Sequence, residues 1–193
     1  MYIQITTRCN MKCRHCGMNC TSKGRDMDFD TFKEALKHSE YITLGGGEPT
    51  IHPFFEKFLF YAIAHCEGVH IITNGKKTDI ALALAKMNNI NEGAFSAELS
   101  QDPYHEPIDP KVVKAFGKNI RNNSRQLINA GRCDWGDNED CICEDMFVLP
   151  NGAVKQCGCE VSFYQSCRGS VFFPALGSFS SLLFSLFFSI PGR

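Results

Sequence analysis

The first 130 residues alternate between β-rich and helical segments, and this alternation limits the chain to few architectures. Consecutive β-rich segments are separated by enough residues for a helix, which is the connection that parallel strands require. The order therefore predicts an α/β fold with an open or partial (β/α) barrel. The predicted strands are residues 2–7, 41–44, 69–73, 94–100 and 125–130, and the predicted helices begin near Asp28 and Pro53 and cover residues 80–87 and 110–118.

Three closely spaced cysteines, Cys9, Cys13 and Cys16, follow the first predicted strand. In α/β barrels the loops after the strands carry the chemistry, so this loop is a candidate site. Thiolates that converge from one loop favour an iron–sulfur cluster or zinc. A structural zinc site needs four ligands, and Cys20 could supply the fourth, so the loop alone leaves both metals open.

The composition bears on compartment and partners. The chain has 193 residues, eleven cysteines and a formal net charge of -1. An odd number of cysteines and a beginning without a signal-peptide pattern favour a reducing cytoplasm over a secreted disulfide framework. No long run of Lys and Arg is present, so nucleic acid is not an expected partner. We therefore expect a cytoplasmic protein whose clustered cysteines bind metal.

A glycine run, Gly45, Gly46 and Gly47, ends the second predicted strand and is followed by Glu48. Without Cβ atoms, such a turn exposes backbone N–H and C=O groups to a ligand. The carboxylate that follows could bind a positively charged amino group. A plain strand-to-helix turn explains the same residues equally well, so this segment by itself leaves both interpretations open.

Together, the cysteine loop and the glycine run resemble the radical S-adenosylmethionine (SAM) superfamily over residues 1–130. The resemblance implies a partial (β/α) barrel of the radical SAM type, in which Cys9, Cys13 and Cys16 bind a 4Fe-4S cluster. It also implies that SAM binds the open iron and is cleaved by one electron to methionine and a 5′-deoxyadenosyl radical, which abstracts hydrogen from a substrate. An electron donor such as flavodoxin or ferredoxin would then be a partner.

The same resemblance implies how SAM is bound around the two motifs. His15 stands where the family usually has an aromatic residue, which lies near the adenine. Gly46, Gly47 and Glu48 match the run that positions the methionine amino group, and Gly45 shapes the turn.

A third segment, at the end of the fourth predicted strand, also matches the family. Ser100 is the expected contact to the ribose or carboxylate of SAM, and Asp102 and His105 are expected to face the substrate. Pro103 stands where the family has glycine, which makes this match less specific. An Asp-Pro turn with a surface histidine is the alternative interpretation.

A second group of cysteines lies in residues 131–160, which we expect to form a small Cys-rich β-hairpin appendage. Asn151-Gly152 between two apolar runs predicts the hairpin turn. The spacing from Cys141 through Gly152 to Cys157 resembles the twitch and SPASM segments of radical SAM enzymes, which implies an auxiliary iron–sulfur cluster. A zinc knuckle that uses the same thiolates is the alternative. Further candidate ligands are Cys133, Cys143 and Cys159.

Residues 161–193 differ from the rest, because they are rich in Ser, Phe and Leu and carry few charges. Residues 172–190 carry no charge, so a membrane span has to be considered. Pro174, Gly177 and several serines make it a poor span, and a non-native or disordered tail is the other interpretation.

The substrate is the least constrained part of the prediction. Enzymes with twitch or SPASM segments often act on peptides, so the resemblance implies a peptide or protein substrate. A small molecule or nucleoside is the alternative within the same enzyme class. A non-catalytic zinc or iron–sulfur binding module is the alternative from another class, although such a module does not need the glycine run.

Overall fold

The computed structural model describes residues 1–88, 93–122, 127, 129–136, 146–156 and 158. The strands are Tyr2–Thr6 (β1), Tyr41–Gly46 (β2), Gly68–Thr73 (β3), Phe95–Ser100 (β4), Ile120–Arg121 (β5), Phe147–Val148 (β6) and Val154–Lys155 (β7). The helices are Phe29–Leu36 (α1), Phe55–His65 (α2), Thr78–Asn88 (α3) and Pro110–Phe116 (α4), and a single 3-10 turn covers Pro49–Ile51. All seven strands form one sheet in the order β5-β4-β3-β2-β1-β6-β7.

Strands β1 to β5 pair in parallel, as their helical connections require. The strands are rich in β-branched residues and bury side chains such as Ile3, Ile5 and Ile71 completely. Helices α1 and α2 cover the sheet with apolar residues that include Phe32 and Phe58. The core therefore fixes the strands, and their carboxyl ends meet at one edge of the sheet, where the candidate site lies.

The fifth parallel strand of the described residues lies earlier in the chain than the predicted strand at residues 125–130. Of that prediction, residues 125, 126 and 128 lie outside the described residues, and residues 127, 129 and 130 belong to none of the strands. Helix α4 ends at Gly117, which has a φ of 52° that favours glycine. The chain turns there and returns as Ile120–Arg121, which pairs with Leu99 and Ser100. A strand of two residues has no periodicity that a sequence pattern could reveal.

The predicted hairpin around Asn151-Gly152 is present, with β6 and β7 antiparallel and Gly152 at a φ of 79°. Its first strand also pairs in parallel with β1, where Tyr2 lies opposite Phe147 and their rings stack at 4.3 Å. The hairpin therefore extends the main sheet at its β1 edge. A separate appendage formed by residues 131–160 stays a prediction.

Within the described ranges, no helix has the length and apolar character that crossing a bilayer requires. Residues 161–193, on which the membrane and tail interpretations were based, lie outside the described residues.

Candidate functional site

The cysteine loop follows the carboxyl end of β1, and backbone hydrogen bonds close its base. The backbone N–H of Thr7 donates to the carbonyl oxygen of Arg25 (2.9 Å), and that of Cys9 donates to Thr21 (2.7 Å). These bonds close the base of the loop, so its residues stay together above the sheet. Cys13 is buried, whereas Cys9 and Cys16 are half-buried.

The arrangement of the sulfur atoms bears on the zinc alternative. Tetrahedral zinc with Zn–S bonds of about 2.3 Å places its sulfur ligands roughly 3.8 Å apart. Among the residues that the structure describes, which include Cys9, Cys13, Cys16 and Cys20, no three sulfur atoms lie within 4.8 Å of one another. The metal-free loop is therefore not preassembled as a closed zinc site.

Cys20 is turned toward the protein interior. Its thiol donates to the carbonyl oxygen of Met18 (3.7 Å) and accepts from the Nε2 of Gln4 (3.8 Å). A hydrogen bond between Cys20 and Cys16 lowers the pKa of Cys16 to about 6 and raises that of Cys20. In the metal-free loop, Cys20 is therefore in contact with one candidate ligand, Cys16.

The other two candidate ligands are thiols in the metal-free protein. Burial raises the pKa of Cys9, and burial together with the neighbouring Cys9 and Cys16 raises the pKa of Cys13 to about 11. Two N–H groups already point at the Cys9 sulfur, from the backbone of Met11 (3.4 Å) and from the Asn74 side chain (3.7 Å). Such hydrogen bonds stabilise a metal-bound thiolate.

The glycine run lies directly against β1 and the beginning of the cysteine loop. Gly47 donates its N–H to Thr6 O (2.8 Å), and the next residue donates to Arg8 O (2.8 Å). A Cβ on Gly46 would collide with the carbonyl oxygen of Thr6, and one on Gly47 with that of Arg8. The glycines are thus required by the close approach of two backbones, which places the run beside the cysteines.

Glu48 is almost completely buried, with 1% of its surface exposed. Its Oε1 accepts hydrogen bonds from Thr50 N (3.2 Å), Thr50 Oγ1 (2.6 Å) and Thr73 Oγ1 (2.7 Å), and its Oε2 accepts one from Asn74 N (2.7 Å). Burial raises the pKa of this carboxyl, and the donors oppose that shift. The carboxylate therefore ties the end of β2 to the end of β3; its contact with a SAM amino group stays a prediction.

Asn74 is a site residue that the sequence analysis missed. Its Nδ2 donates to Asn10 Oδ1 (2.9 Å), besides the contact with Cys9, while its backbone N–H is held by Glu48. Asn74 thus connects the glycine run to the cysteine loop. The only local sequence signal is the Asn-Gly pair that follows the third predicted strand.

The structure brings His15, Asp102 and His105 together. The Nε2 of His15 lies 3.2 Å from Asp102 Oδ2, and the Nδ1 of His105 lies 2.9 Å from Asp102 Oδ1. The Asp102 side chain is fully buried, and its Oδ2 has no hydrogen bond of good geometry within the described residues. Burial lowers the pKa of His15, although Asp102 opposes the shift. The His105 side chain is only 8% exposed, so it is not the surface histidine of the alternative interpretation. One ligand atom from each of the three residues lies close enough to the others to share a cation or a proton.

Aromatic rings continue from this cluster to the surface. Tyr104 lies 5.4 Å from the His15 ring and 5.8 Å from that of Trp135, and both Tyr104 and Trp135 are exposed. The Arg14 guanidinium covers the Trp135 ring at 4.9 Å. Ser100, the other predicted SAM contact in this segment, is half-buried at the end of β4.

Arg132 is the second site residue that the sequence analysis missed. Its side chain donates to two carbonyl oxygens of the cysteine loop, those of Cys13 (3.1 Å) and Cys20 (2.6 Å). Both acceptors lie more than 110 residues away along the chain. Cys133, a predicted ligand of the second cluster, is buried next to it. The other four predicted ligands, Cys141, Cys143, Cys157 and Cys159, lie outside the described residues.

A cavity of about 450 Å³ opens beside the cysteine loop. Residues from Cys9 to Lys12 line one side, Thr21 to Lys23 line the other, and Glu106 closes it. Glu106 accepts from the backbone N–H of Lys12 (2.8 Å) and pairs with Lys76. The loop is therefore also braced from the segment that follows β4.

Comparison with known proteins identifies the family of this chain. The family model for the Radical SAM superfamily matches residues 3–123. Over 97 residues the chain is 32% identical to mycofactocin maturase MftC of Mycobacterium tuberculosis (strain CDC 1551 / Oshkosh), covering 46% of this chain and 25% of that protein. Over 77 residues it is 34% identical to an S-adenosylmethionine-dependent nucleotide dehydratase of a Thermoplasmatales archaeon (strain ISO4-H5), covering 38% of this chain and 28% of that protein.

The fold is similar to that of SuiB from Streptococcus suis. The structure of SuiB bound to S-adenosylmethionine aligns with a TM-score of 0.50 and 13% identity, over 96% of this chain and 64% of that chain. The structure of SuiB bound to precursor peptide SuiA aligns with a TM-score of 0.50 and 12% identity, over 81% and 58%. The expected α/β fold of the radical SAM type is confirmed.

The alignments also show how much of the chain and of its relatives is similar. The chain spans about a quarter of the length of the curated relatives it matches. The family model covers well over half of the 193 residues and includes both the cysteine loop and the glycine run. The resemblance read from the sequence is thereby confirmed, and the chain belongs to the Radical SAM superfamily.

Proposed function

We propose that this chain forms the catalytic part of an enzyme that reductively cleaves SAM and abstracts hydrogen from a substrate. The observation that supports it most is the joint placement of the three-cysteine loop and the glycine run. The backbone bonds from Gly47 to Thr6 and from Glu48 to Arg8 hold the two motifs side by side. A structural zinc module does not require this contact.

The superfamily works with a 4Fe-4S cluster and SAM. In our proposal Cys9, Cys13 and Cys16 hold the cluster, and backbone groups of Gly46 and Gly47 face the amino acid part of SAM. When bound, the cluster and SAM together supply a 5′-deoxyadenosyl radical through one-electron cleavage of the sulfonium. Three protein ligands leave one coordination position for SAM, as a catalytic metal site requires.

The protein residues around the motifs have supporting roles in this proposal. Glu48 and Asn74 keep the end of β2, the end of β3 and the cysteine loop in one arrangement. Asp102 fixes the ring of His15, which we place beside the adenine. The exposed Tyr104 and Trp135 form the entrance through which a substrate would approach.

We propose a peptide or protein as the substrate. The support comes from the relatives, because MftC is named a maturase and SuiB has been seen bound to a precursor peptide. A nucleotide is the second candidate, since one relative is named a nucleotide dehydratase. A flavodoxin or ferredoxin suits the proposal as electron donor, because the cleavage of SAM consumes one electron. We propose the cytoplasm as the compartment, since all six cysteines of the described part are free thiols, which suits a reducing environment. A second cluster bound by the later cysteines is an additional proposal.

The test is detection of 5′-deoxyadenosine. The protein is reconstituted anaerobically with iron and sulfide, reduced with dithionite and mixed with SAM, and the products are analysed by mass spectrometry. Wild type and Cys66→Ala should form 5′-deoxyadenosine, because Cys66 ends α2 away from the loop. Cys13→Ala should form none. A cluster-loaded wild type without product, or a Cys13→Ala protein with undiminished product, would contradict the proposal.

The substrate class is tested in the same assay. Addition of precursor peptides should increase 5′-deoxyadenosine and change the peptide mass, whereas nucleotides should do neither. The reverse result would favour the nucleotide candidate.

A further inference from the structure

Gly131 and Arg132 pack directly onto the cysteine loop. A Cβ on Gly131 would collide with the carbonyl oxygens of Cys16 (2.5 Å) and Gly17 (2.6 Å), and the residue has a φ of 58°. Both the contact and the backbone conformation therefore favour glycine. The next backbone N–H, that of Arg132, donates to Cys16 O at 3.0 Å.

The Arg132 side chain contacts both ends of the same loop. Its Nε donates to Cys13 O (3.1 Å), and one terminal nitrogen donates to Cys20 O (2.6 Å) and to Asn19 Oδ1 (3.3 Å). A planar guanidinium with fixed donor directions can hold several acceptors at once, which a lysine ammonium does with less geometric definition. One residue thus spans the stretch of the loop that contains two of the three candidate ligands.

The acceptors of these bonds are oxygen atoms, two of them main-chain carbonyls and one the Asn19 side chain, and none is a sulfur atom. Arg132 can therefore shape the loop without competing with a metal for the thiols. Its charge is permanent, because the guanidinium stays protonated at any relevant pH. The backbone bond to Cys16 O places this charged residue beside a candidate ligand of the cluster.

We propose that Arg132 is a positioning residue that fixes the shape of the cysteine loop and holds a positive charge beside the cluster site. This inference rests on the proposed function, since it concerns a cluster bound by Cys9, Cys13 and Cys16. The bonds set the spacing of Cys13 and Cys16, and the charge stabilises the reduced cluster relative to the oxidised one. The segment that leads to the second cysteine group thereby affects the first metal site.

The chain offers a matched control on the same loop. Arg14 lies between Cys13 and His15, but its guanidinium covers the Trp135 ring instead of bonding to loop carbonyls. Its replacement removes one positive charge from the loop without removing the contacts made by Arg132.

The experiment compares full-length wild type, Arg132→Gln, Arg132→Lys and Arg14→Gln after anaerobic reconstitution with iron and sulfide. The rate of iron loss to a chelator reports loop shape, and the midpoint potential of the cluster, from a titration followed by electron paramagnetic resonance, reports the charge. Arg132→Gln should lose iron about tenfold faster, as for other residues that support metal ligands. Its potential should become more negative, because hydrogen bonds and charge near the cluster set that potential.

Arg132→Lys separates the two roles. It should lose iron faster than wild type, because the forked contacts are gone, while its potential stays near that of wild type. Arg14→Gln should lose iron at the wild-type rate. Circular dichroism of the metal-free variants reports folding. If Arg132→Gln does not fold, the lysine variant and Asn19→Gly decide the question, because the glycine variant loses one of the contacts and tolerates the φ of 51° at that position.

The outcomes are distinguishable. Wild-type retention of iron and a wild-type potential in both Arg132 variants would overturn this inference and leave the proposed function intact. Equal iron loss from Arg14→Gln and Arg132→Gln would also overturn it, because the specific contacts would then have no role. A wild type that takes up no iron–sulfur cluster would overturn the proposed function, and this inference with it.

Discussion

Replacement of Glu48 by glutamine should destabilise the metal-free protein by about 1–3 kcal/mol, although the two side chains have nearly the same shape. Both carboxylate oxygens accept hydrogen bonds, and two of the four donors are backbone N–H groups, from Thr50 on Oε1 and Asn74 on Oε2. An amide has one acceptor oxygen and an NH₂ group that cannot accept. Either orientation of the substituted amide therefore leaves one buried N–H group without an acceptor, which costs about 1–3 kcal/mol.

The assay is urea unfolding of the metal-free protein, followed by circular dichroism. Glu56→Gln is the control, because Glu56 is exposed on α2 and should change the free energy of unfolding by less than about 0.5 kcal/mol. If Glu48→Gln lies within the range of this control, the argument from buried donors is wrong.

The same variant has a pH dependence of defined sign. Burial raises the pKa of Glu48 in the folded state, so protonation favours folding. The resulting stability is fully present below the pKa of an unfolded glutamate, about 4.3, and is lost as the pH rises through the higher folded pKa. Glutamine does not titrate, so the deficit of Glu48→Gln should be larger at low pH than at high pH. A deficit that grows with pH would contradict the raised pKa.

Three further predictions concern the site. Gly47→Ala should take up much less iron on reconstitution, because its Cβ would collide with the carbonyl oxygen of Arg8 beside the first cysteine; wild-type iron content would contradict this. Cys20→Ala should keep wild-type iron content, because the Cys20 thiol faces Gln4, whereas a closed four-thiolate site would lose its metal. Asp102→Asn should weaken SAM binding to the cluster-loaded protein roughly tenfold in equilibrium dialysis, because the contact of His15 with a negatively charged carboxylate is lost; an unchanged Kd would show that this pair does not support SAM.

The local patterns of the sequence predicted the first four strands and the helices between them well. Regular burial produces a periodicity that can be read from a single segment, as in β3 and α1. Capping has a local signal too, and Asp28 accepts the expected hydrogen bond at the start of α1. The two-residue strand β5 has no such pattern.

The contacts that hold the site could not be predicted in this way. Arg132 and Cys13 are 119 residues apart, and nothing in either segment indicates that one contacts the other. Asn74 directly follows a strand, and nothing in that local pattern indicates its contact with Asn10. The helical connections between parallel strands implied that the carboxyl ends of the strands meet at one edge of the sheet. They did not indicate which side chains are in contact at that edge.

These remote contacts also explain why the cysteine spacing alone did not decide between zinc and a cluster. A zinc knuckle closes its own loop with four ligands and needs little support from the rest of the fold. The loop of this protein is held instead from the ends of other strands, by Asn74 after β3, Glu106 after β4 and Arg132 after β5. Since those three strand ends meet only in the assembled sheet, the loop acquires its shape from the fold and not from a fourth cysteine. In our proposal the three-thiolate site needs that external support, because SAM takes the coordination position that a fourth thiolate would occupy.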